Sequence, residues 1–228
     1  MKLSAGIFVF VLLFGSIAFG QELTREQKLQ KIDELNNQIK LLEESFIQPD
    51  EKDLKQAQKE NFSVFRILPR EKYDHKFTIQ GGGSYYSFTT KSHDYQKIAQ
   101  IGLEQNNLKV GFAGADYGFL ADLGEISLTD IDKETAEVNF LVNYKPPTSL
   151  PDVRVEQLKV RNYEVNGLSF KQSFPAVVAH TYILRAISFD DADVLVAFKI
   201  YRKDTDGSLI IFWKLIENFE KPILARAE

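Results

Sequence analysis

The chain has 228 residues, no Cys, a formal net charge of −4 and a pI near 5.5. The absence of Cys excludes a disulfide scaffold and a thiolate zinc site. Hydrophobic residues make up 44% and charged residues 26%, which is typical of a globular chain and not of a disordered one. The acidic pI argues against a dedicated nucleic-acid-binding protein, which normally carries a basic surface, so we expect no nucleic-acid partner.

Residues 1–20 have the pattern of a secretory signal peptide. Lys2 supplies a positive start, residues 7–13 form a continuous apolar run, and small residues stand at positions −3 and −1 of a cleavage site before Gln21. The alternative is an uncleaved membrane anchor, but the apolar stretch is shorter than the roughly 20 residues that span a bilayer. We therefore expect an exported protein, secreted or periplasmic, without stable membrane insertion.

Residues 21–61 are predicted to form an N-terminal helical segment and linker, because they contain no Gly and carry an apolar stripe with 3-4-3-4 spacing. Thr24 and Gln27 fit a capping box at the start of a helix, and Pro49 ends it. The stripe consists of Ile32, Leu35, Ile39, Leu42 and Phe46. This amphipathic helix either packs on its own domain or forms a homodimer through residues 24–48 as a short coiled coil.

From residue 62 the hydrophobic period changes to two, and most Gly and aromatic residues lie beyond this point. We expect residues 62–220 to form one α+β domain made mainly of antiparallel sheet, followed by a tail at 221–228. Helices are expected at 134–143 and 151–159. Strands are expected at 62–68, 76–80, 84–88, 98–105, 108–113 and 118–123.

The best supported element is a three-stranded antiparallel meander over residues 176–216. The Asp-rich turn at 190–193 joins its first two strands, and Asp206-Gly207 joins the second and third. The strands are apolar on both faces, which predicts that a second sheet or helices cover them. A separate hairpin is predicted at Asn166-Gly167.

The sequence does not determine the register of the hairpin within residues 194–216. A two-residue loop places Phe198 opposite Leu215 and, unfavourably, Lys199 opposite Lys214. A longer loop with a Gly bulge shifts the pairing by one residue, which removes this repulsion but mixes the two faces.

Charged side chains within these apolar strands are the main candidates for a ligand-binding site. A charge in an apolar strand needs a partner or an open face. One hypothesis is therefore an anion-binding patch assisted by tyrosines; the alternative is that the charges face solvent or pair with acids such as Glu164. The candidates are Arg185, Lys199, Lys214, His180, Tyr201 and Tyr182.

Two Gly-rich stretches, residues 81–83 and 111–118, match no phosphate-binding motif. In a β protein, Gly usually marks bends and close backbone approach. The alternative is that neighbouring aromatics, among them Tyr85 and Tyr86, line a ligand-binding mouth.

No catalytic or metal-binding signature is present. His75, His93 and His180 share no metal-ligand spacing. Ser92, His93 and Asp94 are adjacent in sequence, but adjacency alone does not make a catalytic triad. Clustered Asp residues are typical of turns, so no metal and no cofactor are expected.

The sequence thus favours an exported binding or protein-interaction module over an enzyme. Its partner, a protein or a small molecule, is unidentified. One alternative is an extracytoplasmic hydrolase whose catalytic side chains converge only in the fold. The other is a structural protein that assembles through the N-terminal helix.

Overall fold

A computed structural model describes residues 22–93, 95 and 98–225, so the predicted signal peptide and the last three residues lie outside it. The described chain is α+β, with mostly antiparallel sheets and an N-terminal helix, as predicted. None of its helices is both long enough and apolar enough to cross a membrane. Contacts divide the chain into two compact units, which meet in sequence between Gln38 and Ile39.

The helices and strands follow in chain order. The helices are α1 (Arg25–Ile47), α2 (Glu51–Lys59), α3 (Arg70–Tyr73), α4 (Ala136–Asn143) and α5 (Leu150–Lys159), and Leu128–Asp130 form a 3₁₀ turn. The first strands are β1 (Ser63–Ile67), β2 (Tyr85–Tyr86), β3 (Ile101–Glu104), β4 (Asn107–Lys109) and β5 (Tyr117–Asp122). The later strands are β6 (Tyr163–Val165), β7 (Leu168–Phe170), β8 (Ser173–Pro175), β9 (Thr181–Ser188), β10 (Ala192–Lys203) and β11 (Leu209–Phe219).

Helix α1 begins with the predicted capping box. The Thr24 N–H donates to Gln27 Oε1 at 2.9 Å, and the Gln27 N–H donates to Thr24 Oγ1 at 3.3 Å. The helix ends at Ile47, two residues before Pro49. Within the predicted linker, α2 is a regular helix and buries Ala57 in the core, which explains the single apolar face of this charged segment.

The strand predicted at residues 76–80 is absent, and this prediction was wrong. The segment turns instead, because a side chain satisfies its backbone: the Glu43 carboxylate of α1 accepts the Thr78 N–H at 2.5 Å and the Ile79 N–H at 3.2 Å. The Thr78 hydroxyl also donates to Glu43 at 2.8 Å. A buried carboxylate from a distant helix is a partner that strand periodicity does not reveal.

The central sheet has the strand order β1-β11-β10-β9-β5, and all its pairs are antiparallel. It contains the predicted meander as β9, β10 and β11. A second sheet has the order β2-β3-β4-β8, and β6 and β7 form a two-stranded hairpin. This hairpin has the predicted register, with Tyr163 opposite Phe170 and Val165 opposite Leu168.

Both faces of the central sheet are covered, as the doubly apolar strands predict. On one face, Leu184, Val196 and Ile211 pack in a core with Ile101 and Leu108 of the second sheet. The opposite face packs in a second core that includes residues of α2, α4 and α5. Members of that core from the sheet and the helices are Phe119, Ile183, Leu195, Phe212, Ala57, Val138, Leu141 and Val153.

Neither of the two predicted pairings holds along the whole β10–β11 hairpin. Next to the turn, Lys203 faces Leu209 and Arg202 faces Ile210, which is the pairing of the longer loop. A bulge between Ile200 and Arg202 then shifts the register by one more residue, so that Phe198 faces Trp213. The bulge keeps apolar side chains on common faces and separates the two lysines that the short loop would have opposed.

Candidate functional site

Arg185 lies at the centre of β9 and is almost fully buried, with a relative exposure of 1%. Its Nε and one terminal nitrogen donate to the two carboxylate oxygens of Asp193 at 2.8 and 2.6 Å. The other terminal nitrogen donates to the carbonyls of Leu141 and Tyr144, at the end of α4. The Phe219 ring covers the guanidinium at 3.7 Å. Arg185 is therefore a bridge between the sheet and a helix end, and does not face a ligand in solvent.

Three other predicted residues lie along the segment that follows β5. Lys199 Nζ donates to the Ile126 carbonyl at 3.2 Å and Lys214 Nζ to the Thr129 carbonyl at 3.4 Å. His180 Nδ1 lies 2.9 Å from Asp122. Desolvation lowers the pKa of Lys214, and nearby Asp132 and Asp130 oppose the shift.

Acids lie close to two of these side chains. Asp122 neighbours His180, while Asp130 and Asp132 act on Lys214. His180 contacts the Asp122 carboxylate, as in the alternative in which these residues pair with acids, whereas Lys199 and Lys214 donate to backbone carbonyls. Their role in binding an anion stays a prediction.

The tyrosines predicted to assist the patch lie apart from each other. Tyr201 is at the β10 bulge, 42% exposed, and stacks on Phe212 with ring centroids 4.3 Å apart. Tyr182 is buried on the other face, where its hydroxyl donates to the Pro175 carbonyl at 2.8 Å. Desolvation raises the pKa of Tyr182 to about 12.

Tyr85 and Tyr86 adjoin the first Gly-rich stretch, as the sequence suggested, but face different neighbours. Tyr85 packs against Phe112 with ring centroids 5.0 Å apart. Tyr86 stacks on Phe65 at 3.7 Å and also lines an open groove. The glycines mark close backbone approach: at Gly82, with φ of 59°, an added Cβ would lie 2.2 Å from a carbonyl oxygen.

The groove that Tyr86 lines has a volume of about 530 Å³ and follows the outer side of β1. We call it the edge groove. Leu54 and Ala57 of α2 line one wall, residues 61–64 lie along it, and Tyr86 and Lys91 line the other wall. Lys91 is its single charged lining side chain.

The backbone of β1 opens into this groove. The Arg66 carbonyl accepts from His93 Nε2 at 2.6 Å, and the Leu68 N–H donates to Gly83, both on the side away from β11. Because residues two apart in a strand point their backbone groups the same way, the N–H and C=O of Val64 also face away from β11. No partner for the Val64 groups occurs in the described chain, so the edge offers both a donor and an acceptor.

The ends of this open edge are defined. The Phe62 N–H is bonded to the Ala57 carbonyl at 2.9 Å, and the Arg66 carbonyl is bonded to His93. Between them, the Phe62 carbonyl and the Arg66 N–H have no partner among the described residues, like the two groups of Val64. An extended segment of a few residues fits this edge by strand addition.

His93 closes one end of the edge groove as a neutral imidazole. Its ring lies 5.1 Å from that of Tyr86 and 6.4 Å from that of Phe65. Burial lowers the pKa of His93 to about 4, and its bond to Arg66 opposes that shift. Because a carbonyl only accepts, Nε2 carries the proton of the neutral ring.

The acidic clusters act as turn and ion-pair residues. Asp193 binds Arg185, Asp204 binds Arg202 at 2.6 Å, and Asp206 accepts the Tyr73 hydroxyl at 2.8 Å. Across the residues that the structure describes, no three His, Asp or Glu side chains are grouped to hold a metal ion.

The edge groove was not predicted from the sequence, although Tyr86, which lines it, was a candidate ligand-binding residue. Lys91 carries no motif, and the open edge follows from the pairing of β1 with β11, which is distant in sequence. The local signal that could have indicated it is the strand at residues 62–68 directly after a charged helix.

Replacing Arg185 should destabilise the fold strongly. Arg185→Met leaves the Asp193 carboxylate buried without a counter-ion, so we expect the free energy of unfolding to fall by about 3–5 kcal/mol. The double variant Arg185→Met/Asp193→Leu should recover part of this loss, because no charge stays buried. Urea denaturation measures both, with Lys199→Met as a control expected to cost below about 1 kcal/mol. Equal losses in the single and double variants would contradict this role.

Stability should fall in acid because of His93. The folded pKa lies below the unfolded value of 6.5, so from pH 6.5 down to about 4 the unfolded chain binds a proton that the folded chain does not. The free energy of unfolding should fall by up to about 3 kcal/mol over this range. His93→Gln should flatten the pH profile, and His75→Gln, at an exposed position, should not. Matching profiles for the wild type and His93→Gln would refute the assignment.

No protein-family model matches this chain, and no curated protein or solved structure matches it either. The proposals below therefore rest on the residues and geometry described above.

Proposed function

We propose that the chain is an exported, secreted or periplasmic, interaction module that captures an extended polypeptide segment by strand addition to β1. The observation that supports this most directly is the open edge of Val64, since unpaired strand edges are templates for another chain. The groove walls support it further, because they leave room for one added segment.

The added segment would alternate its side chains between two walls. Leu54 and Ala57 of α2 offer apolar surface on one side. The other side combines the Tyr86 ring with Lys91. Main-chain hydrogen bonds would supply affinity, and these walls would supply specificity.

The test is selection of binders from a phage-displayed library of random octapeptides, followed by exchange of backbone amides. Binders should protect the amides of Val64 and Arg66. Val64→Pro should abolish binding, because it removes an outward N–H and leaves the bonds of β1 to β11 intact. Val64→Ala keeps the N–H and should retain binding within about a few-fold.

Two results would overturn the proposal. One is a library that yields no binder dependent on the Val64 N–H. The other is a change of oligomeric state in Val64→Pro, which would mean that a second copy of the chain already occupies the edge.

A second candidate function, assembly through α1, is favoured by the exposure of its stripe. The stripe side chains are 40–71% exposed. The heptad pattern puts Ile32 and Ile39 at a positions and Leu35 and Leu42 at d positions. This combination favours a parallel coiled coil of two helices. Most helical stability in proteins comes from packing of an amphipathic face, so this exposed stripe favours a partner. We propose a second copy of the chain as the partner of this stripe.

Leu35→Asp tests the assembly directly. A charge at a buried d position should convert a dimer into a monomer in sedimentation equilibrium. The matched control Asn37→Asp adds the same charge on the opposite side of the helix and should leave the mass unchanged. A wild-type chain that is monomeric at about 100 μM would exclude this assembly.

A further inference from the structure

Two hydrogen-bond donors, Lys91 and Tyr86, line one wall of the edge groove, on the face of β1 that carries Ser63. Ser63 lies opposite Trp213 across the β1–β11 pair. Lys91 Nζ lies 6.0 Å from the Trp213 ring centroid, and the Tyr86 and Trp213 rings are 6.5 Å apart. The groove wall thus combines a cation and a phenol, with the Trp213 indole behind them.

Trp213 lies behind this wall and is only 4% exposed, so its buried indole N–H does not face a ligand in the groove. Tyr86 remains a neutral donor, because desolvation raises its pKa to about 12.

We propose that the captured segment carries an Asp or Glu side chain that binds at Lys91 and Tyr86. This inference rests on the proposed capture of an extended segment and names its chemistry. Lys91 supplies the charge that a carboxylate complements, and an acceptor-only group suits a wall made of donors.

The carboxylate belongs to a side chain and not to a C-terminus. The open edge extends on both sides of Ser63, from the Phe62 carbonyl to the Arg66 N–H, so the segment continues past this wall. Because side chains alternate along an added strand, the acidic residue is flanked by residues that point to α2. Leu54 and Ala57 on that wall favour apolar neighbours. The expected pattern is apolar–acidic–apolar.

Two peptides test this: acetyl-Thr-Val-Glu-Val-Thr-amide and the same peptide with Gln in place of Glu. The wild type should bind the Glu peptide about three- to tenfold more tightly than the Gln peptide, measured by calorimetry or NMR titration at low salt. Lys91→Ala should bind both peptides equally. Lys91→Arg should keep the preference, and Lys91→Glu should reverse it toward a Lys-containing analogue.

The outcomes distinguish failure of the carboxylate site from failure of the proposed strand capture. Equal binding of both peptides to the wild type, lost in Val64→Pro, overturns the carboxylate site and leaves strand capture intact. A preference that survives in Lys91→Ala also overturns it, because the acid is then recognised elsewhere. If neither peptide binds and the octapeptide library yields no edge-dependent binder, both proposals fail.

Discussion

The fold depends on one buried ion pair that joins the sheet to a helix. Arg185 of β9 and Asp193 of β10 pair diagonally across the hairpin, and the remaining guanidinium donors bind carbonyls at the end of α4. A buried charge is tolerated only when its partners are complete, and here the carboxylate, the helix carbonyls and the Phe219 ring complete them. The pair fixes the position of α4 over the sheet, because the carbonyls at a helix C-terminus carry partial negative charge that attracts a cation.

With one face of the sheet closed by helices and the other by a second sheet, the edges remain as places for recognition. At β5, Lys171 donates its N–H to the Leu120 carbonyl, so that edge is partly occupied. At β1, α2 and the segment around His93 stand on either side of the strand and leave Val64 open between them. This difference between the two edges is why we propose that a partner binds at β1.

Local patterns predicted much of this fold, and contacts between distant residues limited the rest. Thr24 with Gln27, and Asn166 with Gly167, are short-range signals and the structure confirms both. Arg185 was identified as a charge that needs a partner, but the α4 carbonyls that it binds are more than 40 residues away in sequence. The strand predicted at 76–80 failed for the same reason, since Glu43 supplies its hydrogen bonds. The edge groove depends on strand order, which no periodicity encodes.

The open edge of β1 also creates a risk of self-association, which its short length limits. A strand that accepts one added chain can in principle accept copies of itself, and such addition without an end is how fibrils grow. Here the Ala57 carbonyl holds Phe62 on one side and His93 holds Arg66 on the other, so only a short stretch of backbone is free. These two contacts limit the length of backbone that another chain could pair with, and a chain that lost either contact would have a longer template for polymerisation.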